Sequence, residues 1–273
     1  PIGSVEIDDA LAQLAAASPP DTVGVGTVRA LSITRQYHFP DRAASMLGQL
    51  PRLQRLNLPF CSLKDAHLAT ICGSELLAAS LEELVITNNP DLTDTGLREL
   101  CKLRRLRVLA AQDLPLLGKT SLPFPPPSER STLKPLLECW ASAGLDATLT
   151  HLELTRCDEL VASGQFSLLG CFTELRALDI RSLPLPSPSD IGALSRLTAL
   201  ETLLLAQFGG LHYFRSQKAV DNTPVVLELA RVFSVCTQVR GFDSRQCRKL
   251  CLWRLREAIR VCTTLLSRTH THT

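Results

Sequence analysis

Leu53-Gln54-Arg55-Leu56-Asn57-Leu58-Pro59-Phe60-Cys61 sets apolar residues at the first, fourth and sixth places of a nine-residue frame and a small polar residue at the ninth. The frame returns at Leu81, Leu84, Ile86 and Asn89, at Leu149, Leu152, Leu154 and Cys157, and at Leu175, Leu178, Ile180 and Leu183. Over the whole chain the frames start at Val28, Leu53, Leu81, Leu106, Leu149, Leu175, Leu200 and Val239, spaced by 25, 28, 25, 43, 26, 25 and 39 residues. Such a period is the mark of a solenoid, whose units cannot bury their apolar faces alone and stack on their neighbours. A second pattern, not used to define the first, precedes the frames at three-residue steps: Leu47-Leu50-Leu53, Leu100-Leu103-Leu106, Leu169-Phe172-Leu175, Leu194-Leu197-Leu200 and Phe233-Cys236-Val239.

Side chains alternate along a strand, so apolar residues at places 4 and 6 predict a strand with those two inward and places 3, 5 and 7 outward. After place 9 the chain must turn and return, which a short helix does by laying its own apolar face on the same core. Leu63, Asp65 and Leu68 match Leu92, Asp94 and Leu97, with Asp65 and Asp94 as helix starts, where a carboxylate suits the positive end of the helix dipole.

Two of the spacings hold insertions. One, near 115–148, contains Ser121-Leu-Pro-Phe-Pro-Pro-Pro-Ser128, an extended or polyproline stretch, then an apolar helix predicted near 132–143 with Ser131 as cap and Gly144 as stop. The other, near 207–223, carries Gly209-Gly210 and Leu211 to Arg215, and Thr223-Pro224 then opens a helix. Retained loops of this length are more often functional than idle. Residues 1–27 read as a capping helix, with Ser4 as cap, and a linker, residues 28–262 as the repeat domain, and residues 263–273 as a polar tail.

Among the 273 residues, 45% are hydrophobic and 5% aromatic, so Leu, Ala and Val do the packing. A net charge of +2 is too balanced to make nucleic acid or an anionic membrane the default partner. Ten cysteines form no CxxC pair, and several fall on core places of the frame, which favours buried thiols and an intracellular, reducing compartment: the cytoplasm first, then an organelle or a cytoskeletal assembly. There is no zinc-type ligand spacing, no apolar run of membrane-spanning length, and no signal-peptide pattern in residues 1–20.

With Cys or Asn at the ninth place and Leu92-Thr-Asp-Thr-Gly-Leu97 as the turn into the helix, residues 28–262 resemble leucine-rich repeat proteins of the cysteine-containing and ribonuclease-inhibitor-like classes. The resemblance implies an α/β solenoid of about eight repeats, a horseshoe with a parallel sheet on its concave side and helices on its convex side. Ala111 and Ser244 at place 6, and Gln36, Leu114, Leu183 and Phe208 at place 9, depart from the pattern and mark less regular repeats.

The candidate partner-binding residues follow from the frame. They are Arg55, Asn57, Glu83, Thr87, Gln112, His151, Glu153, Arg156, Asp179, Arg181, Asp243 and Arg245 on the outward face, with Phe124, Tyr213, Phe214 and Arg215 from the insertions. The charges gather in the C-terminal half, which suits a polar protein surface. His151 and Glu153 share a face and permit an acid/base pair, yet no nucleophile, oxyanion turn or metal set accompanies them, so the expectation is a non-enzyme without cofactor, metal or small-molecule substrate. The expected role is a protein-binding scaffold in a larger intracellular assembly, not inserted in a membrane. One alternative is the substrate-recognition subunit of an F-box-type ubiquitin ligase, which requires an F-box ahead of the repeats, where residues 1–27 hold a single helix. Another is an RNA-associated assembly factor using Lys102, Arg104, Arg105, Arg107 and the cations of residues 248–260, a reading weakened by the lack of interleaved aromatic residues for base stacking.

Overall fold

Each frame becomes one short strand, and the strands line up in chain order. A computed structural model describes residues 11, 28–119, 134–205, 223–236 and 241–243, the last three by backbone alone. The order is β1 (Ala30–Ser32), α1 (Asp41–Leu47), β2 (Arg55–Asn57), α2 (Asp65–Cys72), α3 (Glu75–Ser80), β3 (Glu83–Val85), α4 (Asp94–Arg98), β4 (Val108–Ala110), α5 (Leu136–Ser142), β5 (His151–Glu153), α6 (Glu159–Ala162), β6 (Ala177–Asp179), α7 (Pro188–Ala193), β7 (Thr202–Leu204), α8 (Thr223–Val235) and β8 (Gly241–Asp243). Short 3-10 turns run over Glu99–Lys102, Phe166–Cys171 and Leu194–Arg196.

The strands form one eight-stranded sheet in the order β1 to β8, every neighbouring pair parallel. The fourth residue of every frame falls in a single row, Leu31, Leu56, Leu84, Leu109, Leu152, Leu178, Leu203 and Phe242. Parallel sheets ordinarily have both faces covered. Here the fourth and sixth residues are buried in most frames while most residues at places 3, 5 and 7 stay accessible, so the architecture is α/β and solenoid-like with one open sheet face.

Hydrogen bonds extend the ladder beyond the three residues of each strand. The sixth N–H donates to the fifth carbonyl of the next frame, as in Leu58 to Val85 (2.8 Å) and Leu154 to Asp179 (2.8 Å). In five frames the eighth N–H then donates to the seventh carbonyl of the next frame, as in Phe60 to Thr87 (3.0 Å) and Asp113 to Thr155 (2.8 Å). At the eighth residue the backbone then turns left-handed: Arg35, Phe60, Asn88, Asp113, Arg156 and Ser182, the eighth residues of six frames, all have φ between 54° and 60°. The turn follows the last ladder bond and ends the strand.

At the ninth place a buried polar side chain reaches back to the preceding frame. Cys61 Sγ donates to the Ile33 carbonyl (3.2 Å) and Cys157 Sγ to that of Ala111 (3.1 Å). Asn89 does more. Its Oδ1 accepts from the N–H groups of Cys61 and Leu63 (both 3.0 Å), and its Nδ2 donates to the carbonyls of Leu58 (3.0 Å) and Ile86 (2.8 Å). A fully buried amide with both ends satisfied accounts for backbone groups that water cannot reach.

The helices α2 and α4 begin at Asp65 and Asp94, as their acidic first turns predict. Asp65 also accepts from the N–H (2.9 Å) and hydroxyl (2.5 Å) of Thr93, one frame on, and the approach is so close that a Cβ on Gly96 would run into the Asp65 carboxylate and backbone. The helix expected near 132–143 starts at Leu136, behind Pro135, because the proline supplies the bend; Ser131 lies outside the described residues. Helix α3, with Ser74 accepting from the Leu77 N–H (3.4 Å), was not expected from the frame. Of the predicted N-terminal helix only Leu11, buried in the core, falls among the described residues.

Trp140 of α5 is buried and donates to the Leu97 carbonyl (2.9 Å), docking the end of the first insertion onto α4. Gln165 donates to the Gly118 carbonyl (2.9 Å), and Asp94 accepts from the Gly118 N–H (2.7 Å). Burial pushes the Asp94 carboxyl above its usual range. No helix among the described residues is long and apolar enough to cross a membrane.

Candidate functional site

The open sheet face is made of rows rather than a pocket. Place 3 contributes Ala30, Arg55, Glu83, Val108, His151, Ala177 and Thr202; place 5 contributes Ser32, Asn57, Val85, Ala110, Glu153, Asp179 and Leu204. Thr34, Pro59, Thr87, Gln112, Thr155 and Arg181 form the row at place 7. The left-handed eighth residues add a fourth row along the C-terminal edge, and its members touch: Arg156 Nη1 lies 3.0 Å from Asp113 Oδ1.

Arg55 and His151 are exposed, and Asn57, Glu83, Thr87, Gln112 and Glu153 are half-buried on this face. Two expectations need correction. Asp179 is 5% exposed: the Arg181 guanidinium folds back over it, with Nε 2.9 Å and 3.0 Å from the two carboxylate oxygens and Nη2 2.6 Å from Oδ2. Thus Asp179 is not an outward carboxylate, and its pairing occupies Arg181, because a charge this buried requires a counter-charge. Arg156, expected on the face with its neighbours, sits instead in the edge row, where the left-handed turn swings it toward Asp113.

His151 and Glu153 do not pair. His151 Nδ1 is 2.9 Å from Thr150 Oγ1, and Glu153 accepts from the Gln112 side chain. Asp243 lies at place 5 of β8, described by backbone alone; Arg245, Phe124, Tyr213, Phe214 and Arg215 fall outside the described residues. In the first basic cluster Lys102 bonds Glu99 and Arg105 lies 3.4 Å from Glu82, so two of its cations already face carboxylates. The C-terminal cluster is outside the described residues.

Frame periodicity missed the eighth row, since nothing in the hydrophobic pattern announces a positive φ on Arg, Phe or Asp. It also missed the exposed aromatic residues at the N-terminal end of the sheet, Tyr37 (95% exposed) and Phe60 (50%). On the helical side a cleft of about 580 Å³ is lined by Ser167, Ser195, Arg196 and Arg231 among others, with no histidine or carboxylate in its lining. No group of three or more His, Cys, Asp or Glu side chains suited to a metal occurs among the described residues.

The seven described cysteines are all free thiols. Burial pushes the Cys61 thiol up to about 11 and those of Cys72 and Cys157 up to about 12, from an ordinary 9.0. They are core groups and poor nucleophiles at neutral pH.

A scan against protein-family models finds no family that matches this chain, and a search of curated proteins finds no match either.

Proposed function

We propose that this chain is a leucine-rich repeat scaffold: a horseshoe of about eight repeats whose concave sheet face binds another protein within a larger intracellular assembly. The observation that carries the reading is the in-register row of fourth residues, from Leu31 to Phe242, which keeps every third, fifth and seventh residue on one continuous surface. A parallel sheet with an accessible face is rigid and preformed, so association costs little ordering entropy. A solenoid presents such a surface along its whole length. The free thiols suit a reducing compartment.

The test is purification of the full chain under native conditions, identification of what accompanies it, and repetition with Arg55→Glu and His151→Glu, two exposed face residues. A stoichiometric protein partner lost from both variants, with the thermal unfolding midpoint unchanged, is the expected result. A partner that survives both substitutions lies elsewhere and ends the concave-face reading.

A further inference from the structure

We infer that the C-terminal edge of β1 and β2 is a docking site for an acidic polypeptide segment that presents an apolar side chain; this rests on the scaffold reading and names where the partner sits and its chemistry. The eighth row is polar at Arg35, Asn88, Asp113, Arg156 and Ser182, and Phe60 breaks it. Its φ of 56° is the left-handed turn that the other eighth residues share, so the side chain and not the backbone sets this position apart. Phe60 is half-exposed, so its apolar surface is left open to solvent. An exposed aromatic group of this kind is a common anchor of an interface.

The adjoining loop doubles the feature. The Arg35 N–H donates to the Pro59 carbonyl (3.2 Å), next to Phe60. That link ties the chain leaving β1 to the residue before Phe60, and two residues on from Arg35 is Tyr37, 95% exposed. Phe60, with Tyr37 in the adjoining loop, gives this rim an exposed aromatic step.

Two arginines stand open on this part of the face. Arg35, Arg55 and His38 are exposed, and neither arginine has a carboxylate partner among the described residues. The outward residues of β1 and β2 include no acid; the nearest along the face is Glu83, in register with Arg55 but forming no ion pair with it. Two planar guanidinium groups beside an aromatic step match carboxylates flanking an aliphatic or aromatic side chain. A nucleic-acid strand fits less well, because a backbone track needs cations continuing along the sheet and Glu83 and Glu153 interrupt it.

Random 12-residue peptides displayed on phage would be selected on the full chain, and the recovered peptides titrated by fluorescence anisotropy alongside a fluorescent oligothymidine. The expected consensus is acidic around one apolar residue. Phe60→Asn keeps a residue that tolerates the left-handed turn, as Asn88 does in the next frame, and is expected to weaken binding by roughly 30-fold. Arg55→Glu is expected to abolish it, with the thermal unfolding midpoint lowered in neither variant. A basic or uncharged consensus, an empty selection, preferential oligothymidine binding lost in the same variants, or indifference to Phe60→Asn each overturns the site. Peptides that lose binding with His151→Glu and not with Phe60→Asn leave the scaffold reading standing while removing this one.

Discussion

The face over β1 and β2 and the face over β4 to β6 rest on the same ladder and differ in how their charges are used. On β4 to β6 the groups turn toward one another: Asp179 with Arg181, Glu153 with Gln112, Asp113 with Arg156, His151 with Thr150. On β1 and β2 the arginines stand without carboxylates among the described residues, and two aromatic rings face water. Density of charged residues in a sequence is therefore a poor guide to a binding surface. The charged residues described over β4 to β6 largely satisfy one another, whereas Arg35 and Arg55 at the N-terminal end have no carboxylate partner among the described residues.

The contrast can be broken most severely at the seam between frames. Asn89→Ala removes the amide that ties β2 to β3 and leaves the Cys61 and Leu63 N–H groups buried without acceptors, a loss of about 3 kcal/mol or more measured by urea unfolding. Next in size is an asymmetry between two arginines. Arg181→Ala strands the buried Asp179 carboxylate and is expected to cost about 1–3 kcal/mol, scaled down because Arg181 is itself partly exposed, whereas Arg55→Ala should change stability by under about 0.5 kcal/mol. Equal losses in the two variants would erase the distinction between the regions.

Alkali should treat both regions alike, since each carries a buried thiol at place 9. Unfolded thiols ionise near 9.0 while Cys61, Cys72 and Cys157 hold their protons to about 11 or 12, so the unfolded state releases protons first and stability falls as pH rises from about 9. A denaturation midpoint that stays flat between pH 9 and pH 11 would contradict it. The smallest effect is Phe60→Asn, expected to leave stability unchanged or raise it by about 0.5–1 kcal/mol by relieving the left-handed strain, as read from the melting temperature.

Much of the fold is legible in the sequence because one physical demand recurs: Leu31, Leu56, Leu84 and their counterparts must all point into the core, so a strand period and a repeat period coincide. The starts of α2 and α4 are legible too, since Asp65 and Asp94 suit the first turn of a helix. The eighth row is not, because φ depends on backbone sterics that Arg35, Phe60 and Asp113 do not share as a residue type. Nor is the burial of Asp179. Its place predicts an outward side chain, and only the three-dimensional position of Arg181 turns it into half of a closed pair. Asn89 reads as a place-9 residue, while its hydrogen bonds to Leu58, Ile86, Cys61 and Leu63 depend on where the neighbouring frame stops.

Leu109 pairs in register with Leu152 even though their frames start 43 residues apart, just as Leu56 pairs with Leu84 across 28. The sheet counts rungs and is indifferent to contour length between them. Chain length is consequently a free variable at the first insertion: sequence can be lengthened, shortened or exchanged there while each later side chain keeps its address on the face. An engineer could graft a foreign segment between Lys119 and Lys134 and alter what the protein displays without re-indexing the surface beside it.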